Sequence, residues 1–81
     1  MATNLSDEQK ADLRRFGWRI AELRKQRGWS QERLALESGI ARSYLGGVER
    51  GQRNMALLNI LRISRALAIH PSQLFPYPEQ G

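Results

Sequence analysis

The chain has 81 residues, a formal net charge of +5 and no cysteine. A chain of this length buries only about 60% of its unfolded surface, so it supports one small hydrophobic core and a single domain. Without cysteine there is no disulfide, thiolate metal site or thiol nucleophile, and no apolar run approaches the length of a membrane span. The first residues lack the basic and apolar regions of a signal peptide, so the default expectation is a cytoplasmic protein.

The positive charge is carried mainly by arginine. Thirteen basic residues oppose eight acidic ones, the sequence pI is about 10.8, and eleven of the basic residues are arginine. Because the planar guanidinium suits phosphate and guanine, this balance favours a polyanionic partner over a merely solvated basic surface. Charge alone does not distinguish DNA from RNA or from an acidic lipid.

The first helix is predicted to begin after Ser6. Ser6 is a good N-cap, and Gln9 completes a capping box. Four apolar residues then recur at helical spacing and form one stripe: Leu13, Phe16, Ile20 and Leu23. The helix, of about twenty residues, is expected to end near Gly28. Trp18 lies off the stripe, so it either packs under a terminal segment or contacts a partner.

Two short helices are predicted next. One runs from the N-cap Ser30 to Gly39, where a positive φ lets the chain reverse direction. The other runs from Arg42 to about Arg50 and is closed by Gly51. Its outward positions are predicted to be Arg42, Ser43, Gly46 and Gly47. Because two adjacent glycines are costly in a helix, either this helix is short and frayed or a neighbouring backbone approaches it closely.

A fourth helix and a shorter fifth one complete the predicted fold. The N-cap of the fourth helix is Asn54 or Ala56, and Leu58 projects away from its apolar face. The residues expected to face inward are Leu57, Ile60, Leu61, Ser64 and Leu67. Pro71 opens the fifth helix. We therefore predict an all-α, five-helix single domain over residues 1–81, with flexible tails at 1–5 and 76–81.

The segment from Trp29 to Asn54 has the layout of a helix-turn-helix, whose second helix enters the major groove of DNA. Arg42 opens that helix, where a guanidinium can donate two hydrogen bonds to guanine O6 and N7 or bind a phosphate instead. Catalytic chemistry has little support, because the single histidine, His70, precedes a proline at a helix start and is best explained as a capping residue. No enzyme activity, cofactor or metal site is expected.

Between Arg24 and Asn54 the sequence follows the pattern R-x-x-R-G-W-S-Q-E-x-L-A-x-x-S-G-I-x-R-S-Y-L-x-G-V-E-R-G-x-R-N. This pattern resembles the Cro and phage-repressor type of helix-turn-helix, also called XRE-like, and the resemblance extends from Phe16 to Phe75. It implies a compact lambda-repressor-like fold. The run R-S-Y-L-x-G-V-E-R-x-x-R-N is similar to the small controller proteins of restriction–modification systems, which are stand-alone domains that dimerise and time gene expression.

The resemblance also implies roles for individual residues. It implies base contacts by Arg42, Ser43 and Gly47. It implies phosphate contacts by Gln31, Tyr44, Arg53 and Asn54, and a structural ion pair between Arg24 and Glu49. Tyr44 could also be a partly buried aromatic whose hydroxyl bonds to the backbone. The chain departs from the family pattern at Ala41, where a capping Ser, Thr or Asp is common, and its two outward glycines leave base reading to few groups.

A single recognition helix contacts too few base pairs to be selective, so we expect a homodimer on a palindromic operator. The predicted interface consists of the surplus apolar residues near the fourth and fifth helices, Leu58, Leu61, Ile69 and Phe75. The predicted function is a sequence-specific transcriptional regulator of a restriction–modification system or of its own gene, with double-stranded DNA as partner and no membrane. The alternative is an antitoxin-like or adaptor module that uses the same fold to bind a protein.

Overall fold

The computed structural model describes residues 4–75, which form four α-helices and one short 3₁₀ helix. The α-helices are α1 (Asp7–Gln26), α2 (Gln31–Ser38), α3 (Arg42–Glu49) and α4 (Leu57–Ala66), and the 3₁₀ helix covers Pro71–Leu74. No strand occurs within this range, and the all-α prediction is confirmed. Residues 1–3 and 76–81, which make up most of the predicted tails, lie outside the described residues.

The last element is a single 3₁₀ turn of four residues, so the predicted count of five helices is slightly too high. It begins at Pro71 as expected, and Nδ1 of His70 accepts a hydrogen bond from the backbone N–H of Ser72 at 3.1 Å. Phe75 is already extended, with φ −109° and ψ 103°. The cause is local, because Pro76 follows and the residue before a proline is disfavoured in the helical region.

The first helix has the bounds that its sequence predicts. Oγ of Ser6 accepts a hydrogen bond from the backbone N–H of Gln9, and Oε1 of Gln9 accepts one from the N–H of Ser6, both at 3.0 Å. The helix has 20 residues and is followed by Gly28 at φ +72°. Despite its length, neither α1 nor any other helix of the described range is apolar enough to cross a membrane.

The core lies where the four α-helices and the 3₁₀ helix meet. Its largest fully buried apolar side chains are Ile20, Leu34, Leu45, Ile63, Leu67, Leu74 and Val48. The prediction for α4 is partly wrong, because Leu57 is 67% exposed while Ile63 is fully buried. The physical reason is that Met55, just before the helix, already fills the core at this end. The first turn of α4 therefore projects beyond the core.

One close backbone approach fixes α1 against the end of α3. A Cβ atom added at Gly17 would collide with the carbonyl oxygen of Val48 and lie 2.8 Å from that of Glu49. Only glycine fits at this position, since both obstacles are backbone atoms. A close backbone approach was one of the two explanations that the sequence left open for the glycines of α3, but those glycines face side-chain atoms and the approach occurs at Gly17.

Candidate nucleic-acid interface

The turn between α2 and α3 is built from local signals. Oγ of Ser30 caps α2 by accepting a hydrogen bond from the N–H of Arg33 at 3.0 Å. The helix ends at Gly39, whose φ is +73°, and α3 begins three residues later at Arg42. Ala41 occupies the N-cap of α3 without a side-chain hydrogen bond. The first backbone N–H groups of α3 thus have no side-chain acceptor at the cap.

The first turn of α3 carries two exposed polar side chains, those of Arg42 and Ser43. Over residues 4–75, the guanidinium of Arg42 has neither a hydrogen-bond nor an ion-pair partner. Leu45 and Val48, on the opposite face of the helix, are buried in the core. The helix is therefore fixed by its apolar face while its first turn presents a free cation to solvent.

A buried ion pair joins α1 to the end of α3. Nε and Nη2 of Arg24 donate to Oε2 and Oε1 of Glu49 at 2.8 and 2.9 Å, and Nη1 of Arg24 donates to the carbonyl oxygen of Trp29 at 2.8 Å. The two side chains are only 10% and 5% exposed. The hydrogen bond to Glu49 raises the pKa of Arg24, so the guanidinium stays charged. It ties α1, the start of α2 and α3 into one unit.

Gln31, at the first position of α2, is part of the same network. Its Nε2 donates to Oε1 of Glu49 at 2.8 Å, and the side chain is half-buried. Glu49 is the only acidic residue between Ser38 and Pro78, a stretch that contains five arginines. Because this single carboxylate is held by Arg24 and Gln31, the surface around α3 carries an uncompensated positive charge.

Tyr44 and Asn54 connect α3 to the loop before α4. The hydroxyl of Tyr44 donates to the carbonyl oxygen of Asn54 at 2.6 Å, and Oδ1 of Asn54 accepts from the N–H of Met55 at 2.9 Å. Tyr44 is half-buried. In the free protein Tyr44 is therefore a partly buried aromatic residue whose hydroxyl bonds to the backbone, which was the alternative to a phosphate contact. Among residues 4–75, the side-chain amide nitrogen of Asn54 has no hydrogen-bond partner.

The two adjacent glycines of α3 are buried, so the prediction that they face solvent is wrong. The cause is a cover of long side chains. A Cβ atom at Gly47 would lie 2.6 Å from Cγ of Arg53, and one at Gly46 would lie 3.2 Å from Nη1 of Arg50. Gly47, which the resemblance placed among the base contacts, thus lies beneath Arg53 in the free protein.

Comparison with known proteins gives the family. The model of a family described as helix-turn-helix matches residues 20–74, which is more than half of the chain and includes α2, the turn and α3. The chain belongs to the helix-turn-helix family.

Relatives of this helix-turn-helix chain include named controllers. It is 39% identical to the control protein C.BamHI of Bacillus amyloliquefaciens over 82% of its own length and 83% of that protein. It is 60% identical to the restriction-modification controller protein C.AhdI from Aeromonas hydrophila, with a TM-score of 0.79 over 80% of this chain and 98% of that one. A hypothetical transcription factor from Neisseria, NHTF, is 37% identical with a TM-score of 0.76, over 96% and 88% of the two chains.

Sequence reasoning missed a cluster of two arginines around Trp29. The guanidinium groups of Arg27 and Arg33 lie 4.8 and 4.6 Å from the ring centroid of Trp29, at cation–π distance. Nη1 of Arg27 also donates to the carbonyl oxygen of Leu67 at 2.7 Å, which caps the end of α4. The available signal was the spacing of two arginines around a tryptophan, but the contact with Leu67 spans 40 residues and no local pattern predicts it.

The predicted dimer residues divide into exposed and partly covered ones. Leu58 is 68% exposed and Phe75 48% exposed, whereas Leu61 and Ile69 are half-buried. Leu57 joins Leu58 as a second exposed leucine in the first turn of α4. Phe75 also lines an apolar depression of about 250 Å³, together with Leu13, Phe16, Met55 and Ile60. This depression joins Ile60 of α4 to the last described residue.

Proposed function

We propose that this helix-turn-helix chain is a sequence-specific transcriptional regulator that inserts α3 into the major groove of DNA. The observation that carries the proposal is the exposed guanidinium of Arg42 at the first turn of α3, which has no partner among the described residues. That turn is rigidly held, because Leu45 and the Arg24–Glu49 pair anchor the rest of the helix. A fixed cation at the start of a groove-bound helix is suited to guanine O6 and N7.

The proposed contacts divide between bases and phosphates. Arg42 and Ser43 approach base edges. Four groups around them anchor the backbone, namely Gln31, Tyr44, Arg53 and Asn54. Gln31 lies at the N-terminus of α2, where the helix dipole attracts a phosphate. The hydroxyl of Tyr44 donates its hydrogen to the carbonyl oxygen of Asn54 in the free protein, so its phosphate contact requires that this hydrogen turn to a phosphate oxygen.

The names of two relatives support a narrower proposal. C.BamHI is called a control protein and C.AhdI a restriction-modification controller protein. The present chain has a similar length, since it covers 83% and 98% of these two proteins. We therefore propose that it controls the expression of a restriction–modification system, with its own gene among its targets.

The regulator is proposed to act as a homodimer. Leu57 and Leu58 are about two-thirds exposed at one end of α4, and an unburied leucine costs roughly 1.5–3 kcal/mol relative to full burial. A two-fold contact through this end of the molecule would cover both leucines and leave both copies of α3 free. The proposed operator is accordingly a palindrome.

Two measurements test the proposed function. Binding to random-sequence duplex DNA at two salt concentrations should weaken steeply with salt, with a slope of about −0.9 per neutralised phosphate. Selection from a random oligonucleotide pool should then yield a palindrome whose half-sites are about one helical turn apart. Binding that ignores salt, or a pool that remains random, would contradict the proposal.

The alternative is a protein-binding module, and one observation favours it. Trp18 is 61% exposed on the outer side of α1, and large exposed aromatic residues are frequent in protein interfaces. The same salt titration separates the two functions. If the alternative holds, DNA affinity stays negligible, and Trp18→Ala abolishes capture of a partner protein while Arg42→Ala does not.

A further inference from the structure

Gly47 and Arg53 are in direct contact on the outer side of α3. Cγ, Cβ and Cδ of Arg53 lie 2.6, 3.6 and 3.8 Å from the position that a Cβ atom of residue 47 would occupy. Gly47 is buried, whereas Arg53, six residues further on, is exposed. The aliphatic part of Arg53 therefore fills the space of the missing side chain.

We propose that Gly47 is a positioning residue that acts through Arg53. This proposal rests on the proposed DNA-binding function. The missing side chain of Gly47 leaves a space in which the aliphatic part of Arg53 packs, and we call this space the seat of Arg53. The exposed surface of α3 thereby gains the guanidinium of Arg53, a residue that lies outside the helix. Gly47 contributes to DNA binding without touching DNA.

The steric argument depends on which atom of Arg53 is nearest. A distance of 2.6 Å to Cγ is far below any real contact of a Cβ atom, and Cγ belongs to the inner part of the side chain. Rotation of the guanidinium alone would not relieve the clash. Alanine at position 47 must therefore change the path of the whole Arg53 side chain or shift the loop that carries it.

The electrostatic surroundings favour a phosphate as the ligand of the seated arginine. Arg53 has no hydrogen-bond or ion-pair partner among the described residues. The nearest acidic residue in sequence, Glu49, is bonded to Arg24 and Gln31 and its side chain is only 5% exposed. A cation held over α3 without an internal partner remains available to the DNA backbone.

A double-mutant cycle on a selected operator tests the proposal. Gly47→Ala and Arg53→Ala should each lower affinity about tenfold and reduce the salt slope by about 0.9, the value for one lost phosphate contact. In the Arg53→Ala background, Gly47→Ala should change affinity less than twofold, because its effect passes through Arg53. Equal losses from Gly47→Ala in both backgrounds, or no loss in the native background, would overturn the proposal.

Gly46→Ala is the matched control. It is the same substitution at the adjacent helical position, but its Cβ atom would meet only Nη1 of Arg50 at 3.2 Å and the amide of Gln31 at 3.5 Å. The contact with Gln31 is an ordinary van der Waals distance that needs no movement, and Nη1 of Arg50 is the end of a flexible side chain and can move. Gly46→Ala should therefore keep the affinity within twofold of the native protein, and a tenfold loss there would overturn the assignment of the seat to Gly47.

A readout without DNA separates this inference from the proposed function. Nuclear Overhauser effects between the α-protons of Gly47 and the side-chain protons of Arg53 should be present in the native protein and in Gly46→Ala. They should be lost in Gly47→Ala. If they are absent from the native protein, the seat does not exist and the inference fails, while the proposed function is unaffected. If they are present but the native protein binds no DNA, the proposed function fails and the positioning role fails with it.

Discussion

The carboxylate of Glu49 receives two hydrogen bonds from the guanidinium of Arg24, at 2.8 and 2.9 Å, in a site from which water is almost excluded. A third bond from Gln31 completes its coordination. The pair connects the first helix to the end of the recognition helix, 25 residues away. In such a site, loss of one partner is much more harmful than the pair is beneficial, because the other charge stays buried.

Arg24→Met should therefore lower the free energy of unfolding by about 3–5 kcal/mol, a large part of the stability of a small domain. Urea denaturation followed by circular dichroism measures this loss. The double variant Arg24→Met/Glu49→Leu should recover most of it, since no charge is left unpaired. Because hydrogen bonding raises the pKa of Arg24, its stabilising contribution is complete below the ordinary guanidinium pKa and is lost only as pH rises above it.

The control for Arg24 is an exposed pair. Nε of Arg33 and Oε2 of Glu37 are 2.8 Å apart, but their side chains are 51% and 41% exposed. Glu37→Gln should change the free energy of unfolding by less than about 1 kcal/mol. If Glu37→Gln and Arg24→Met lowered the free energy of unfolding by comparable amounts, burial would not explain the effect of losing one partner of the Arg24–Glu49 pair.

Arg42→Ala should flatten the preference of the protein among DNA sequences, with a loss of about 1–3 kcal/mol of discrimination at one base pair. Arg53→Ala should instead weaken binding to all sequences alike and make the salt dependence shallower. Competition titrations with the selected operator and with single-base variants measure both effects. Equal losses from both substitutions on every sequence would remove the distinction between base reading and anchoring.

A charge-matched control accompanies this pair of substitutions. Arg65→Ala removes the same charge from α4, at an exposed side chain that has no partner within the described part of the chain. Its effect on operator affinity should be small, because a single remote charge is screened at physiological ionic strength. A loss equal to that of Arg53→Ala would mean that net charge alone drives binding.

Leu58→Glu should shift the sedimentation of the protein from dimer to monomer, because it places a charge in the proposed two-fold interface. Analytical ultracentrifugation over a range of concentrations measures the shift. Leu36→Glu is the matched control, since Leu36 is 78% exposed on α2, and it should leave the equilibrium unchanged. A Leu58→Glu protein that stays dimeric would place the interface elsewhere.

Ala68→Gly should stabilise the domain. Ala68 has φ +55° at the end of α4, and a left-handed conformation costs an L-residue about 1–2 kcal/mol. The expected gain of about 1 kcal/mol corresponds to a melting temperature about 4–8 °C higher. Ala66→Gly, at the last residue of α4, should lower it instead, because glycine is unfavourable in a helix and the substitution removes a methyl group that packs against the core. A rise from both substitutions would exclude the backbone explanation.

The bounds of α1 and α2 follow from the sequence because their signals are local. Ser6 and Ser30 cap the first two helices, and Gly28 and Gly39 follow or end them, each through bonds or dihedral angles within a few residues. A pattern of neighbouring residues is sufficient to identify such features.

The errors arise where distant residues determine the environment. Leu57 is exposed where it was predicted to face inward, because Met55 fills the core from outside the helix. The glycines of α3 are buried by Arg50 and Arg53, which come from beyond its end. Periodicity within one element contains no information about these neighbours.

The candidate site was predicted by two different routes. The exposure of Arg42 follows from helical periodicity, because it lies opposite the apolar face of α3. The partnership of Arg24 with Glu49 was implied only by the family resemblance, since no spacing rule joins residues 25 positions apart. The contact of Arg53 with Gly47 came from neither route, and only the three-dimensional structure reveals it.

Because Gly17 has no side chain, the backbone of α1 packs directly against the carbonyl groups at the end of α3. No side-chain conformation therefore affects the spacing of the two helices at this point. The tilt of the recognition helix is thus set by main-chain contact, which varies little when surface residues change. If Arg42 and Ser43 read the target as proposed, substitutions there should therefore change the target sequence and preserve the docking angle. Any bulkier residue at position 17 would alter that angle for every target at once.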